Sequence, residues 1–370
     1  MTSTAAKVIQ PEMGVSRTIA VKTGRAVESW LWAVAAIVFA MIVVGGATRL
    51  TGSGLSITEW KPILGAIPPL NEADWLAAFE KYKQIPQYAL VNAGMPLSDF
   101  KFNYAWEWSH RLLGRLIGVA FALPFLAFWV FGKLRAGQPL KLMSVLVLGG
   151  LQGAIGWYMV SSGLANRVDV SQYRLALHLT VAFTILGTLV WLALDERRSR
   201  ASVSHAAAPD GVRWLAAAIV GLVLIQVVLG GFVAGLKAGL VYNTWPDMNG
   251  MFVPTDYWLE NRGLLSVFES HAAAQFNHRL SAYLLGAAVI AQVWQVSRVA
   301  DDQRVHRSAK VLAAAVFAQM LLGIATLLAH VPLPLGLLHQ GGGAIVLAIA
   351  VWHLFNVQSC HPGRSEHASV

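Results

Sequence analysis

The sequence predicts an all-α integral membrane protein of eight transmembrane helices, arranged as two pseudo-symmetric four-helix bundles. Three observations point there. Of 370 residues, 56% are hydrophobic and only 13% charged, with a mean hydropathy of +0.55, whereas soluble domains carry about 25% charged residues. Eight apolar runs lie at about 30–47, 109–130, 142–160, 175–194, 214–235, 278–296, 311–329 and 335–355, each near the roughly 20 residues a helix needs to cross a bilayer. The last four runs also echo the first four.

The runs carry distinct marks in chain order. The first ends at Gly45-Gly46 and leads into a long loop, 49–105, rich in Trp and Pro. The second opens with "EWSHRLLGR" (107–115), which places Glu107, His110, Arg111 and Arg115 in its first turns. An ionisable side chain in a span is costly and marks a site by default. The third run holds Gln152 and Gly156, and the fourth opens near His178. The fifth repeats the Gly-Gly pair at 230–231 after Gln226, the sixth opens at His278-Arg279-Leu280, the seventh holds Gln319 and Gly323, and the eighth opens near His339. "EWSHRLLGRLIG" (107–118) aligns with "QFNHRLSAYLLG" (275–286), and "VVGGATRLTGSGL" (43–55) with "VLGGFVAGLKAGL" (228–240). This is a parallel duplication of a four-span unit.

Charge orients the chain. Sixteen Lys and Arg fall on the loops and tails at one end of the spans, and nine fall on the longer loops at the other. The positive-inside rule then places both termini in the cytoplasm and the long loops in the periplasm of a bacterial inner membrane. A net charge of +9 distributed this way excludes a nucleic-acid-binding face. The expected organisation is a cytoplasmic tail 1–27, an N-terminal unit 28–196, a cytoplasmic linker 197–213, a C-terminal unit 214–356 and a tail 357–370. The single cysteine, Cys360, rules out an internal disulfide, and the first 27 residues lack the apolar core of a cleaved signal.

All four even-numbered spans carry a histidine near their outer end. Two histidines on facing helices of a bundle suit haem iron, while zinc would gather four ligands at one point. The repeat makes the pairs His110 with His178 and His278 with His339. Small residues four and eight positions on, such as Gly114, Gly118, Ala282, Gly286, Gly343 and Ala182, leave room for a flat macrocycle on the same helical faces. Arg111, Arg115 and Arg279 are candidate partners for haem propionates, or they snorkel to lipid phosphates. His271 and His330 compete as ligands but lack the repeat's symmetry. The two sites differ at one informative place: Glu107 has Gln275 as its counterpart, the same shape without a titrating group. A carboxyl there can exchange protons, or it can serve as a surface partner of Arg111 or Arg115. Three classes stay open on these residues: an enzyme acting on haem, a dihaem b-type membrane electron carrier, and a duplicated-bundle transporter.

The strings "GGATRLTGSGLSITEWKPILGAIPPL" (45–70), "FNYAWEWSHRLLGR" (102–115), "GLKAGLVYNTWPDMNG" (235–250) and "FNHRL" (276–280) closely resemble the haem A synthase family, and the likeness covers about 28–356. Related members carry a cysteine pair in the first outer loop; this chain resembles the cysteine-free type of α-proteobacteria and mitochondria. The resemblance implies an oxidoreductase that converts the C8 methyl group of haem O to a formyl group, through an alcohol, for cytochrome oxidase assembly. It implies His110 and His178 as axial ligands of the substrate haem, His278 and His339 as ligands of a haem b, and Glu107 as the essential glutamate of a Glu-x-x-His motif. Implied partners are haem O, the bilayer, haem O synthase, an electron acceptor and a second copy of the chain in a homo-oligomer.

Overall fold

A computed structural model describes residues 13–61, 63–200 and 207–358. Lys7, His205, Cys360, His361, Arg364 and His367 lie outside the described residues, as does most of the expected tail 357–370. The elements in order are α1 (Met13–Leu50), α2 (Glu72–Tyr82), α3 (Pro86–Leu90), α4 (Leu97–Val130), α5 (Gln138–Asn166), α6 (Gln172–Arg200), α7 (Asp210–Gly235), α8 (Ser266–Glu269), α9 (His271–Val299), α10 (Gln303–Leu328) and α11 (Leu333–Val357). Among the described residues, eight helices are long and apolar enough to span a bilayer: α1 from Gly24 onward, α4, α5, α6, α7, α9, α10 and α11. The chain is a multi-pass membrane protein.

Local chemistry sets the helix ends. Ser270 caps α9 by accepting the Ala273 N–H at 3.1 Å, and Asp302 caps α10 by accepting the Arg304 N–H at 2.8 Å, each relieving an orphan donor of the first turn. Pro332 and Pro96 sit at the N-caps of α11 and α4, where a missing N–H costs nothing. The helices outrun the apolar runs: α4 starts at Leu97 rather than 109, and α9 at His271 rather than 278. Glu107 and Gln275 therefore lie inside helix, one turn before His110 and His278.

α1, α4, α5 and α6 contact one another in a closed circuit, as do α7, α9, α10 and α11. α1 and α6 meet α11, and α6 meets α7, across the seam. This pattern is consistent with two four-helix bundles. One apolar cluster takes buried side chains from all eight spans, including Leu31, Phe125, Leu142, Leu189, Ile219, Val289, Leu312 and Leu347. The α6–α7 seam is close: a Cβ on Gly231 would stand 2.7 Å from the Ala176 Cα, and one on Gly235 would stand 2.6 Å from the Gln172 Cα. Glycine lets these backbones approach, the usual device between helices in lipid.

The first long loop is folded. Phe79, Tyr82 and Ile85 pack with Leu55, with Phe100 on the outward extension of α4 and with Val170. Polar bonds complete it: the Tyr82 hydroxyl donates to Gln87 Oε1 at 3.1 Å, and the Gln87 amide donates to the Gly52 carbonyl at 3.0 Å. The loop thereby covers the end of the N-terminal helices where His110 and His178 lie.

Candidate functional site

The four repeat histidines come from α4, α6, α9 and α11. His110 on α4 and His178 on α6 belong to the same circuit of α1, α4, α5 and α6. His278 and His339 face each other with ring centroids 6.4 Å apart and planes at 78°. With metal–imidazole bonds of about 2 Å, two imidazoles on opposite sides of one metal have centroids roughly 6 Å apart. The Nδ1 atoms of His178 and His278 are buried with no protein partner, which suits a ring awaiting a ligand. Among the described residues, no three His, Cys, Asp or Glu side chains gather as a zinc site requires. The residues present fit haem iron held between paired histidines. His271 and His330 are both exposed, His271 at the first turn of α9 and His330 just past the end of α10. His353 is buried at the other end of the helices, 2.8 Å from Gln292 Nε2 and 2.8 Å from Ser308 Oγ, a satisfied core histidine.

Each of the four histidine rings lies against a glycine of a neighbouring helix. A Cβ on Gly45 would come 3.1 Å from His110 Nε2, and one on Gly156 would come 3.0 Å from His178 Cε1. On Gly230 and Gly323 it would come 3.2 Å from His278 Cε1 and 2.7 Å from His339 Cε1. The glycines four and eight positions after the histidines on their own helices have mixed surroundings. A Cβ on Gly114 would meet the Met41 methyl at 3.4 Å, one on Gly286 would meet Met320 Sδ at 3.3 Å, and one on Gly118 would meet nothing within 4 Å.

Glu107 is 1% exposed. Its Oε1 accepts Arg111 Nη2 at 2.7 Å and Nε at 3.1 Å, and its Oε2 accepts the Ile57 N–H at 2.8 Å. The alternative of an ion pair with Arg111 is thus met in geometry, but inside the protein rather than at a wet surface. Arg111 also donates to the carbonyls of Ile57 at 2.9 Å and Glu59 at 3.1 Å. Arg279 does the same in the second half, donating to Tyr242 at 3.0 Å, Thr244 at 2.9 Å and Asp247 at 2.8 Å. Gln275 donates to the Tyr242 carbonyl at 3.0 Å. Arg115 donates to the Lys61 carbonyl at 3.1 Å. The arginines strap the loops that precede α4 and α9 onto the histidine ends of those helices.

Loop electrostatics reinforce the straps. Lys81 and Lys61 hold the Glu59 carboxyl below the usual range. Burial, helped by a hydrogen bond to Asp256, pushes the Tyr242 phenol up to about 12.

The chain matches the model of the cytochrome oxidase assembly protein family over residues 28–351. It is 50% identical to "Heme A synthase" of Parvibaculum lavamentivorans, over 89% of this chain and 93% of that one. Against "Heme A synthase" of Beijerinckia indica it is 49% identical, over 96% of this chain and 98% of the relative. The chain belongs to the haem A synthase family. The Maricaulis maris relative, also "Heme A synthase", is 50% identical over 88% of this chain and 94% of its own length.

For a member of the haem A synthase family, sequence reasoning named the ionisable groups and missed what they grip. "GLSITEW" (54–60) and "GLVYNTW" (239–245) continue the aligned stretch 43–55 and 228–240 in register. Ile57 thereby matches Tyr242 and Glu59 matches Thr244, the same carbonyls that Arg111 and Arg279 hold. Extending the repeat by a few residues would have found them. The glycines under the rings were visible only as half of a Gly-Gly pair or of a Gln-x3-Gly string.

Proposed function

We propose that this chain is a haem A synthase, an oxidoreductase that takes the C8 methyl group of haem O through an alcohol to a formyl group for cytochrome oxidase assembly. The observation that carries this reading is the difference between two otherwise equivalent sites: Glu107 beside the His110–His178 pair, Gln275 beside the His278–His339 pair. A relay needs no titrating group, and a methyl oxidation must dispose of protons.

In this reading, His110 and His178 hold the substrate haem in the unit 28–196, and His278 and His339 hold a haem b in the unit 214–356. Haem b, when bound, supplies one-electron transfer away from the substrate site. Glu107, oriented by Arg111 and the Ile57 N–H, takes up a proton as the methyl group loses hydrogen. Gln275 stands in the same place without titrating. Arg111, Arg115 and Arg279 provide positive charge for the propionates. Much of their N–H capacity is committed to loop carbonyls, so they act by charge more than by a free two-pronged grip. The folded loop above His110 and His178 limits water there. The bias of Lys and Arg puts this end on the periplasmic side and both termini in the cytoplasm. Haem O synthase supplies the substrate, and a separate acceptor removes the electrons.

Each of the eight candidate spans is one continuous helix, which does not favour a transporter built on broken helices. The deciding experiment is an optical spectrum of the purified protein with identification of its extracted haems. Haem A beside haem b is the expected result. Haem b alone in both sites would establish the electron-carrier reading instead.

A further inference from the structure

Three odd-numbered spans share the string Gln-x3-Gly, and the structure gives both residues a task. The glycine backs the histidine ring, as described. The glutamine, one turn earlier, donates its amide to the backbone carbonyl of that same histidine. Gln152 reaches the His178 carbonyl at 3.0 Å, Gln226 the His278 carbonyl at 3.0 Å and Gln319 the His339 carbonyl at 2.6 Å. The same amide nitrogens lie 3.3, 3.3 and 3.1 Å from a ring nitrogen of each histidine. Each carbonyl bond ties the histidine's own backbone to a facing helix, so that backbone cannot shift away from the facing helix without breaking it.

The fourth histidine lacks this tie. α1 supplies the glycine, Gly45 against His110, but Met41 occupies the place one turn earlier. Methionine has no N–H to give, and its methyl points at Gly114. Among the described residues, no side-chain amide donates to His110. The repeat is otherwise kept: Met41-x3-Gly45 stands where Gln226-x3-Gly230 stands in the second half.

We propose that Gln152, Gln226 and Gln319 are positioning residues that fix three axial histidines, and that His110 is the ligand that lets go when the substrate haem is exchanged. The inference rests on the haem reading above. A substrate haem must enter and its product must leave, whereas a resident haem must stay. Exit requires both iron–imidazole bonds to break in turn, each with its electron pair remaining on the imidazole nitrogen. The bond to the histidine without a backbone tie breaks first. His178 stays fixed, and both ligands of the resident haem are tied.

The test uses the purified full-length protein with its haems. Carbon monoxide binds reduced bis-histidine iron only after one ligand leaves, so its binding rate reads ligand release. Transfer of haem to excess apomyoglobin reads the complete exit. In the wild type, the substrate-site haem should react and transfer faster than haem b. Met41→Gln should slow both processes at the substrate site by roughly 2- to 10-fold, the effect of one net hydrogen bond. Gln226→Met should speed both by a similar factor for haem b while its low-spin spectrum persists. Unchanged rates at the altered site in these variants would overturn the proposal. Should Met41→Gln fail to insert, Gln226→Met decides alone by the same criterion. Absence of any bis-histidine haem from the wild type would remove the haem reading and this inference with it, a result distinct from unchanged rates.

Discussion

Glu107 shows how burial changes the meaning of a contact. An exposed ion pair contributes about 0–1 kcal/mol, and that scale suits a carboxylate at a membrane surface. Here Glu107 is enclosed, with Arg111 bonded to one oxygen and the Ile57 N–H to the other. Removing one partner of a buried pair costs about 3–5 kcal/mol, so Glu107→Ala should lower thermal stability measurably in detergent. Glu107→Gln is different, because the second unit already shows Gln275 and Arg279 sharing the Tyr242 carbonyl without a carboxylate. That variant should insert and retain haem, while turnover falls by at least the roughly 10²-fold typical of losing a general base. Haem O or the alcohol should accumulate on it. Near wild-type production of haem A by Glu107→Gln would leave Glu107 a structural strut only. For the other pair, His278→Ala should abolish the haem b absorbance while the protein still reaches the membrane. Survival of that signal would show that another residue holds the iron.

Helices in this protein are placed by where side chains are absent as much as by where they are present. α7 lays Gly231 and Gly235 against the backbone of α6 at Ala176 and Gln172. Backbone cannot yield as a flexible side chain can, so Gly231→Ala should destabilise the seam by the 1–3 kcal/mol typical of overpacking, about. Gly221→Ala, on the same helix with nothing within 4 Å of the added carbon, is the control and should leave the melting temperature nearly unchanged. Equal melting temperatures for the two variants would show that the seam relaxes. A Cβ on Gly323 would crowd His339 rather than backbone, so Gly323→Ala should register in the haem b spectrum more than in stability. The extension of α4 to Leu97 has a comparable role. It carries Phe100 into the loop's apolar cluster and Asn103 to Ser53, whose hydroxyl donates to Asn103 Oδ1 at 3.1 Å.

At the scale of the molecule, Arg49 at the end of α1 ties the two halves together. It donates to the Ala234 carbonyl of α7 at 2.8 Å and lies 3.8 Å from Asp169, which Lys237 approaches at 2.7 Å. The histidine end of the helices is therefore cross-linked between units by polar contacts, while the interior is joined by one apolar cluster. The bias of Lys and Arg among the loops predicts the orientation in the membrane. A phosphatase reporter fused after residue 90 should be active, because alkaline phosphatase folds only outside the cytoplasm. Labelling of that loop from the cytoplasmic side would reverse the orientation.

Eight apolar lengths, an internal repeat and a histidine at each even span were readable from residue types and spacing, because span length is set by bilayer thickness and a duplication preserves spacing. Glu107 against Gln275 was readable for the same reason: one alignment of 107–118 with 275–286 exposes it. Contacts between distant segments were decided only by the tertiary structure. Nothing in the periodicity of 72–90 announces a small core, because Phe79, Tyr82 and Ile85 find their partners on Leu55, Phe100 and Val170. Likewise the space beside each of the four histidines comes from a glycine on a neighbouring helix, and the arginines' partners are loop carbonyls, which every residue carries and no sequence distinguishes. Residue spacing reports which side of a helix faces inward; which neighbour fills that side depends on the packing of all eight helices at once.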